Sequence, residues 1–303
     1  MAKHVAVLMG GWSSEREVSL VTGRDCAKAL RDVGYRVTEV DVGRDVAQVL
    51  TKLKPDVAFN ALHGTWGEDG CVQGLLEVLD IPYTHSGVRA SAVAMHKAMA
   101  KDVFARAGIR CPEGQVMPTE AINAADPYER PYIVKPISEG STCGVRIVKA
   151  GDNEPPVGTD WRYGDDALTE VFISGRELSC AVMDGRALGV VEIRPNSGFY
   201  DYEAKYTEGK TEHVMPAPID QRVYDEAMQM SALAHDVLGC RGVSRADLRY
   251  DDTAGEPGTL YLLEVNTQPG MTPLSLVPEI AAHQGMDFGA LVGWMVEDAT
   301  CGR

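Results

Sequence analysis

The sequence lacks long hydrophobic runs, paired cysteines and clusters of basic residues. The longest apolar run near its start, residues 5–9, is too short for a signal-peptide core or a membrane span. The seven cysteines are odd in number and scattered, and no CxxC pair occurs, so they indicate neither a disulfide framework nor a zinc site. We therefore expect a cytoplasmic protein, kept in a reducing compartment.

Positive charge is also scarce. The chain has 29 lysines plus arginines against 44 aspartates plus glutamates, which gives a formal net charge of −15. Such a surface repels phosphate backbones and anionic lipids, so we expect no nucleic-acid partner and no membrane partner. A polyanionic ligand would need a few lysines and arginines placed inside a cleft, with help from a metal ion.

The first ninety residues alternate strand and helix patterns. Buried strands are predicted at 5–9, 35–42 and 56–61, a brief fourth strand at 81–83, and helices at 19–33, 46–53 and 72–79. This alternation predicts a parallel, Rossmann-like α/β sheet with helices on both faces. Ligands of such sheets bind beyond the carboxyl ends of the strands, where the loops 10–17 and 63–70 lie.

The rest of the chain mixes α and β patterns differently. We predict a helix over 91–107, an antiparallel hairpin from 131–136 and 145–149, strands at 169–172, 177–183, 187–193 and 260–266, and helices at 221–238 and 287–298. The length of 303 residues corresponds to two or three domains. We expect an N-terminal α/β unit at 1–94, and two α+β units at 95–176 and 177–303.

Acidic and amide side chains cluster on the pattern of the last predicted strand. Glu264 and Asn266 are two residues apart and therefore share a face, and Asp247 joins them if its own strand is the neighbour. Two carboxylates and an amide oxygen are hard ligands that suit Mg²⁺ bound to phosphates. A solvated strand face with unrelated acids explains the same pattern, and both interpretations stay open at this point.

Two glycine-containing loops are further candidates. Lys135 precedes a Gly-Ser loop at 138–144, but a β pattern follows it instead of a helix, which excludes a Walker A motif. A phosphate-covering hairpin remains an alternative to a plain turn. The loop at 10–17 lacks GxGxxG, so a dinucleotide oxidoreductase is poorly supported, and Glu15 there suits a helix start. His63 alone is typical of a hydrogen-bonded structural histidine, and Lys97 of a solvated lysine.

The order of these motifs is more specific than any one of them. The sequence resembles the D-alanine–D-alanine ligases of the ATP-grasp superfamily from end to end. The segments that carry the resemblance are 10–19, 63–70, 133–136, 139–141, 199–206, 245–247, 262–272 and 275–278. The resemblance implies an ATP-grasp fold with an N-terminal parallel-sheet domain. It also implies ATP-dependent ligation of two D-alanines through an acyl phosphate, for peptidoglycan synthesis, by a homodimer.

The resemblance also assigns a nucleotide site and a metal site. The residues implied for ATP are Lys97, Lys135, Glu170, Phe172, Ile173, Glu177 and Lys205. The lysines would contact phosphates, Glu170, Phe172 and Ile173 would line the adenine pocket, and Glu177 would bind the ribose. A pair of Mg²⁺ ions, or Mn²⁺, would be held by Asp247, Glu264 and Asn266.

Further residues are implied for the two D-alanines. Those with implied catalytic roles are Glu15, Ser141, Tyr206, Arg245 and Gly270, and those that would bind substrate are His63, Ser275 and Leu276. Glu15 would bind the first ammonium near His63, with Ser141 and Tyr206 fixing it by hydrogen bonds. Arg245 and the backbone of Gly270 would stabilise the oxyanion, and Ser275 and Leu276 would receive the second carboxylate.

Three other functions were weighed against this one. A ligase that takes a hydroxy acid such as D-lactate is disfavoured by Tyr206, since the resemblance links a phenylalanine there to ester formation. A non-catalytic nucleotide-binding relative is disfavoured by the intact set of charged residues, and an oxidoreductase by the absent glycine fingerprint. The chain departs from its relatives at His96, where aspartate is common, and at 142–143, positions that carry no charge required by the reaction.

Overall fold

The computed structural model describes residues 2–140, 143–195 and 211–302. The described strands form three separate sheets, of three, four and five strands. Each sheet consists of strands that are consecutive in sequence, so the sheets divide the chain into three parts. The limits 1–94, 95–176 and 177–303 for these parts stay a prediction.

The N-terminal sheet is parallel. Its strands are β1 (His4–Met9), β2 (Arg36–Asp41) and β3 (Val57–Asn60), and its helices are α1 (Arg16–Asp32), α2 (Val46–Leu53) and α3 (Cys71–Val78). Alternate residues of β1 enter different cores, because successive side chains of a strand point to opposite faces. Val5 and Val7 pack on one side of the sheet, and Ala6 and Leu8 on the other. The predicted Rossmann-like α/β unit is therefore confirmed as a fold.

Two predictions in this region are wrong. Instead of the fourth strand predicted at 81–83, only Tyr83 pairs, through one parallel bridge with Ala58 and one antiparallel bridge with Thr300. The helix predicted over 91–107 is two helices, α4 (Val88–Met95) and α5 (Lys97–Arg106). His96 has an extended backbone between them, and its Nδ1 accepts a hydrogen bond from the Met99 N–H at 3.2 Å, so it caps the second helix.

The central sheet is antiparallel. It contains β4 (Gly114–Pro118), β5 (Tyr132–Lys135), β6 (Arg146–Val148) and β7 (Asp166–Val171), with α6 (Thr119–Ala124) after its first strand. The predicted hairpin is confirmed, since Tyr132 pairs with Val148 and Val134 with Arg146. The described parts of its connecting loop, 136–140 and 143–145, therefore lie at one end of the sheet.

The C-terminal sheet is the largest. Its strands are β8 (Arg176–Met183), β9 (Arg186–Pro195), β10 (Thr211–Val214), β11 (Val243–Asp251) and β12 (Thr259–Asn266), and the helices are α7 (Gln221–Leu238), α8 (Leu276–His283) and α9 (Phe288–Asp298). The helix α7 packs on one face of this sheet. Across the ranges that the structure describes, the helices are too short or too polar to cross a membrane.

Candidate functional site

A cavity of about 840 Å³ lies between the central and the C-terminal sheets. Its apolar walls include Ile133 and Ile147 from one sheet and Leu263 from the other. The volume is typical of a site for a small molecule or a nucleotide. The lining contains six residues that the sequence predicts for ATP, namely Lys97, Lys135, Glu170, Phe172, Ile173 and Glu177.

One side of the cavity holds a buried carboxylate between two lysines. Glu170 is 2% exposed, and its Oε2 lies 2.6 Å from Lys135 Nζ while its Oε1 lies 2.5 Å from Lys101 Nζ. Burial alone would raise the pKa of Glu170, but the two lysines outweigh it and hold the pKa below its ordinary value. The carboxylate is therefore ionised at neutral pH, and Lys101 is a residue that the sequence reasoning missed.

Lys97 connects the hairpin loop to the C-terminal sheet. It is the first residue of α5 and is buried, contrary to the solvated position that its local sequence favours. Its Nζ donates a hydrogen bond to the Glu139 carbonyl at 2.6 Å and lies 3.4 Å from Glu264 Oε2. A buried ammonium between two chain segments suits a ligand that is itself anionic.

The segment between β7 and β8 is held by a partly buried arginine. Arg249 donates hydrogen bonds to the carbonyls of Ile173 at 3.2 Å and Gly175 at 2.9 Å, and its guanidinium lies 5.9 Å from the Phe172 ring centroid. Its Nη1 is 3.5 Å from Glu177 Oε2. Burial lowers the pKa of Arg249. The sequence reasoning missed this residue, although its spacing of two from Asp247 places both on one strand face.

The predicted metal ligands lie on adjacent strands at the cavity. Asp247 of β11 is directly opposite Glu264 of β12, and both line the cavity, while Asn266 is opposite Arg245. The Asp247 carboxylate accepts hydrogen bonds from Arg245 at 2.8 and 2.7 Å, from Asn266 Nδ2 at 2.8 Å and from Ser179 Oγ at 2.5 Å. Strand pairing therefore brings the three predicted ligands together.

This donor set fits Mg²⁺. Two carboxylates and an amide supply hard oxygen atoms, the type that magnesium prefers. Within the described ranges there is no group of three or more His, Cys, Asp or Glu side chains arranged for a metal ion. Water and phosphate oxygens would therefore complete the coordination, as is usual for Mg²⁺ bound with a nucleotide.

Three loops converge on Glu15, at the edge of the N-terminal sheet. Glu15 is buried at the N-cap of α1, but its side chain makes no capping hydrogen bond there. A Cβ atom at Gly64 or at Gly140 would lie only 2.6 Å from Glu15 Oε2. A side chain at either position would displace the Glu15 carboxylate, and the φ of 70° at Gly64 also favours glycine there. The loops after β1, β3 and β5 therefore all approach this carboxylate.

His63 is held on both sides of its ring. Its Nε2 lies 3.0 Å from Thr22 Oγ1 and its Nδ1 lies 3.0 Å from Glu68 Oε1. The residue is buried, and its own carbonyl accepts a hydrogen bond from Ser13 Oγ at 2.6 Å. His63 thus has the partners of a structural histidine, and it also fixes the loop that contains Gly64 beside Glu15.

The loop before α8 is anchored to the N-terminal sheet. The Gln268 side chain accepts a hydrogen bond from Asn60 Nδ2 and donates one to the Leu62 carbonyl. Within the loop, Ser275 Oγ accepts a hydrogen bond from the Thr272 N–H at 3.0 Å. Gly270, Ser275 and Leu276 are therefore placed by contacts to the strand end at Asn60. Asn60 and Gln268 were missed, although the carboxyl end of a parallel strand is where such a residue is expected.

Ser141, Lys205 and Tyr206 lie outside the described residues, so their predicted roles stay predictions. Most of the other predicted residues form two groups. One lines the cavity between the sheets, and the other lies on the loops around Glu15 and Gly270. Arg245 and Asn266 lie outside the cavity lining and contact it through Asp247. Lys97 and Glu139 connect the two groups, because the loop that contains Gly140 also supplies the carbonyl that Lys97 contacts.

Similar proteins were found by sequence and by structure. The family model described as "D-ala D-ala ligase C-terminus" matches residues 105–297, and the one described as "D-ala D-ala ligase N-terminus" matches 42–86. The chain is 60% identical to a D-alanine--D-alanine ligase of Parvibaculum lavamentivorans, with 100% of this chain and 99% of that one covered. It is 57% identical to the ligase of Agrobacterium fabrum, with 99% of each chain covered.

Solved structures agree with these matches. A D-alanine--D-alanine ligase from Bacillus anthracis complexed with ATP superposes with a TM-score of 0.81 at 29% identity, over 98% of this chain and 97% of that one. A second structure of the same enzyme gives a TM-score of 0.83 at 30% identity, with the same coverage. The ATP-grasp fold predicted from the motifs is thereby confirmed, and the chain belongs to the D-alanine–D-alanine ligase family.

Proposed function

We propose that this protein joins two D-alanines to D-alanyl-D-alanine for peptidoglycan precursors, and converts ATP to ADP and phosphate. The observation that carries the proposal is the 60% identity, along the whole chain, to a D-alanine--D-alanine ligase. The ionised residues needed for phosphoryl transfer also line one cavity, at the place where the family fold would bind a nucleotide. Fold and charge arrangement therefore support the same activity.

We propose that the cavity binds ATP between the two antiparallel sheets. Phe172 and Ile173 would contact adenine beside Glu170, and Glu177 would accept hydrogen bonds from the ribose. Lys97 and Lys135 would contact phosphates together with Lys205. Positioning and charge neutralisation are the main requirements of phosphoryl transfer, and these ammonium groups meet both.

We further propose that Asp247, Glu264 and Asn266 hold a pair of Mg²⁺ or Mn²⁺ ions. When bound, these ions would neutralise negative charge on the nucleotide phosphates. Asp247 and Glu264 face each other across the strands, and Arg245 and Lys97 lie beside them. The chain thus offsets part of its own carboxylate repulsion before any ion binds.

The remaining residues would handle the two amino acids. Glu15 would bind the ammonium of the first D-alanine, near His63 and with Ser141 and Tyr206. The carboxylate of the first D-alanine attacks the γ-phosphorus of ATP and becomes an acyl phosphate as ADP leaves. The amine of the second D-alanine, held by Ser275 and Leu276, then attacks the acyl carbon. Arg245 and the Gly270 N–H would stabilise the oxyanion until phosphate leaves.

Two further properties belong to this proposal. We place the reaction in the cytoplasm, because the odd and scattered cysteines suit a reducing compartment. We also expect a homodimer, as the family resemblance implies. Light scattering in solution checks the second point, and a mass equal to that of one chain would contradict it.

Purified protein incubated with ATP, Mg²⁺ and D-alanine tests the activity. We expect D-alanyl-D-alanine by mass spectrometry and one ADP per dipeptide in a coupled assay, with no product from L-alanine as the control. Nucleotide binding without turnover would support the non-catalytic alternative and contradict the proposal. An ester product formed with added D-lactate in preference to the dipeptide would contradict the assigned second substrate.

A further inference from the structure

We propose that Lys101 is a positioning residue of the nucleotide site, which holds the Glu170 carboxylate in place and shares it with Lys135, so that the Lys135 ammonium stays available for a phosphate. The inference rests on the proposed function, because it concerns how this chain binds ATP. Lys101 does not itself line the cavity, and its ammonium group contacts two residues that do, Glu170 and Pro112. It would therefore act on the nucleotide indirectly, through Glu170.

The position of Lys101 is fixed independently of the carboxylate. Lys101 lies one helical turn after Lys97 in α5, with a side chain that is 14% exposed. Its Nζ donates a hydrogen bond to the Pro112 carbonyl at 2.6 Å and another to Glu170 Oε1 at 2.5 Å. The carbonyl anchors the ammonium group, and the ammonium group in turn orients Glu170.

The two carboxylate oxygens of Glu170 each have one lysine. Lys101 contacts Oε1 and Lys135 contacts Oε2 at 2.6 Å, so the cluster holds two positive charges and one negative charge. Without Lys101, Lys135 would be the only cationic partner, among the described residues, of a carboxylate that is 2% exposed. A buried carboxylate retains its one remaining partner strongly. The Lys135 ammonium would then stay paired with Glu170 and would be less available to a phosphate.

Removal of the Lys101 charge should weaken ATP binding more than it slows turnover. We expect Lys101→Met to raise KM for ATP by about tenfold, because hydrogen bonds to charged groups contribute that order of affinity, while kcat changes less. Arg106→Met is the matched control, since it removes a positive charge from an exposed position of the same helix. Its KM for ATP should equal that of the wild type.

The pH dependence separates this role from a merely structural one. Loss of a neighbouring cation raises the pKa of Glu170, so in Lys101→Met this carboxyl takes up a proton at a higher pH than in the wild type. An uncharged Glu170 no longer holds the Lys135 ammonium in position, so the acidic limb of kcat/KM for ATP should move to higher pH. Lys101→Arg retains the charge, and its limb should stay at the wild-type position.

A double-mutant cycle shows whether Lys101 acts through Glu170. In a Glu170→Gln background, Lys101→Met should change KM for ATP by less than about twofold, because the carboxylate that couples them is absent. An equally large effect in both backgrounds overturns the inference. So does a Lys101→Met variant whose KM and pH profile match those of the wild type.

Failure of this inference is distinguishable from failure of the proposed function. If the wild type makes no dipeptide from D-alanine and ATP, the proposed function fails. If the wild type is active, the variants judge Lys101 alone. Circular dichroism checks folding, and Lys101→Gln replaces Lys101→Met where the latter is unfolded. If neither variant folds, Lys101 is structural and the inference is wrong.

Discussion

At the scale of single residues, the cavity balances charges that the whole chain does not. The formal charge of the chain is −15, yet the carboxylates at the cavity each have a cationic neighbour. The pairs are Glu170 with Lys101 and Lys135, Glu264 with Lys97, Asp247 with Arg245, Glu177 with Arg249, and Glu192 with Arg176. Cations placed this way can meet an anionic ligand, because each is held in a fixed position before the ligand arrives.

Replacement of one predicted metal ligand tests this arrangement. In Glu264→Gln we expect kcat to fall by about a hundredfold, because the loss of one charged group that stabilises the transition state typically costs that much. The steady-state rate should recover in part as MgCl₂ is raised, since a weakened site needs more metal to fill.

Glu226→Gln is the control, as it removes a carboxylate from an exposed position of α7. Circular dichroism should show that both variants are folded. Full activity of Glu264→Gln at ordinary magnesium concentrations would refute a metal-binding role for this residue.

The residues that sequence reasoning missed share one property. Lys101, Arg249, Asn60 and Gln268 act on other protein groups, and their partners are far away in sequence. The contact between Lys101 and Glu170 spans 69 residues, and that between Asn60 and Gln268 spans 208. No local pattern encodes such a pair. The order of motifs identifies residues that contact ligands in a family. It carries no information on the distant residues that hold those side chains in place.

At the scale of elements, hydrophobic periodicity predicted most of the strands and helices closely. The helices Val46–Leu53 and Gln221–Leu238 have the predicted limits. The break at His96 was missed because its neighbours continue an apolar helical pattern, and only the backbone conformation separates α4 from α5. The break matters, since it makes Lys97 the first residue of a helix and directs it toward Glu139.

The contact between α7 and β11 includes a buried histidine with a pH-dependent effect. His235 Nδ1 lies 2.7 Å from Ser244 Oγ, and burial lowers the pKa of His235 from 6.5 to about 4. Between those values the unfolded chain binds a proton that the folded chain does not, so stability falls as the pH falls through this range. At about 1.4 kcal/mol per pH unit, the loss amounts to about 3 kcal/mol.

Urea unfolding of the wild type and His235→Gln checks this effect. At neutral pH we expect the wild type to be the more stable, and the difference in free energy of unfolding should shrink by about 3 kcal/mol as the pH approaches 4. His283→Gln, at the end of α8, is the control, and its difference from the wild type should stay constant. A constant difference for His235→Gln as well would refute the assignment.

At the scale of the whole molecule, one hydrophobic core joins the two ends of the chain. Val5, Val7 and Phe59 of the parallel sheet pack in the same core as Val277 and Leu291 of the C-terminal helices. The helices α1 and α9 pack against each other. The first part of the chain is therefore completed by the last, which explains how a loop near residue 270 comes to lie against a strand that ends at Asn60.

The hydrogen bonds of the Gln268 side chain to Asn60 and to the Leu62 carbonyl should couple these two parts. We expect Gln268→Met to lower the free energy of unfolding by about 1–3 kcal/mol, because it leaves buried polar groups without partners. It should also raise KM for D-alanine, since the loop that contains Gly270 and Ser275 loses its anchor to the N-terminal sheet.

A double-mutant cycle with Asn60→Leu measures the coupling. The double variant should be less destabilised than the sum of the single variants by about 0.5–3 kcal/mol. Gln48→Met, at an exposed position of α2, should combine with Asn60→Leu additively. Additive effects of Asn60→Leu and Gln268→Met would show that the two amides act independently.

The sequence by itself determined the elements, the family and the types of residue at the site. Period-2 and period-3.6 patterns depend on neighbours close in the chain, and motif order depends on the chain alone. Only the tertiary structure decided which charges meet, because burial and distance come from packing between segments that are far apart. It placed Lys101 behind Glu170, joined Gln268 to Asn60 and buried Lys97. Packing between distant segments thus brings several of the few lysines together at the cavity.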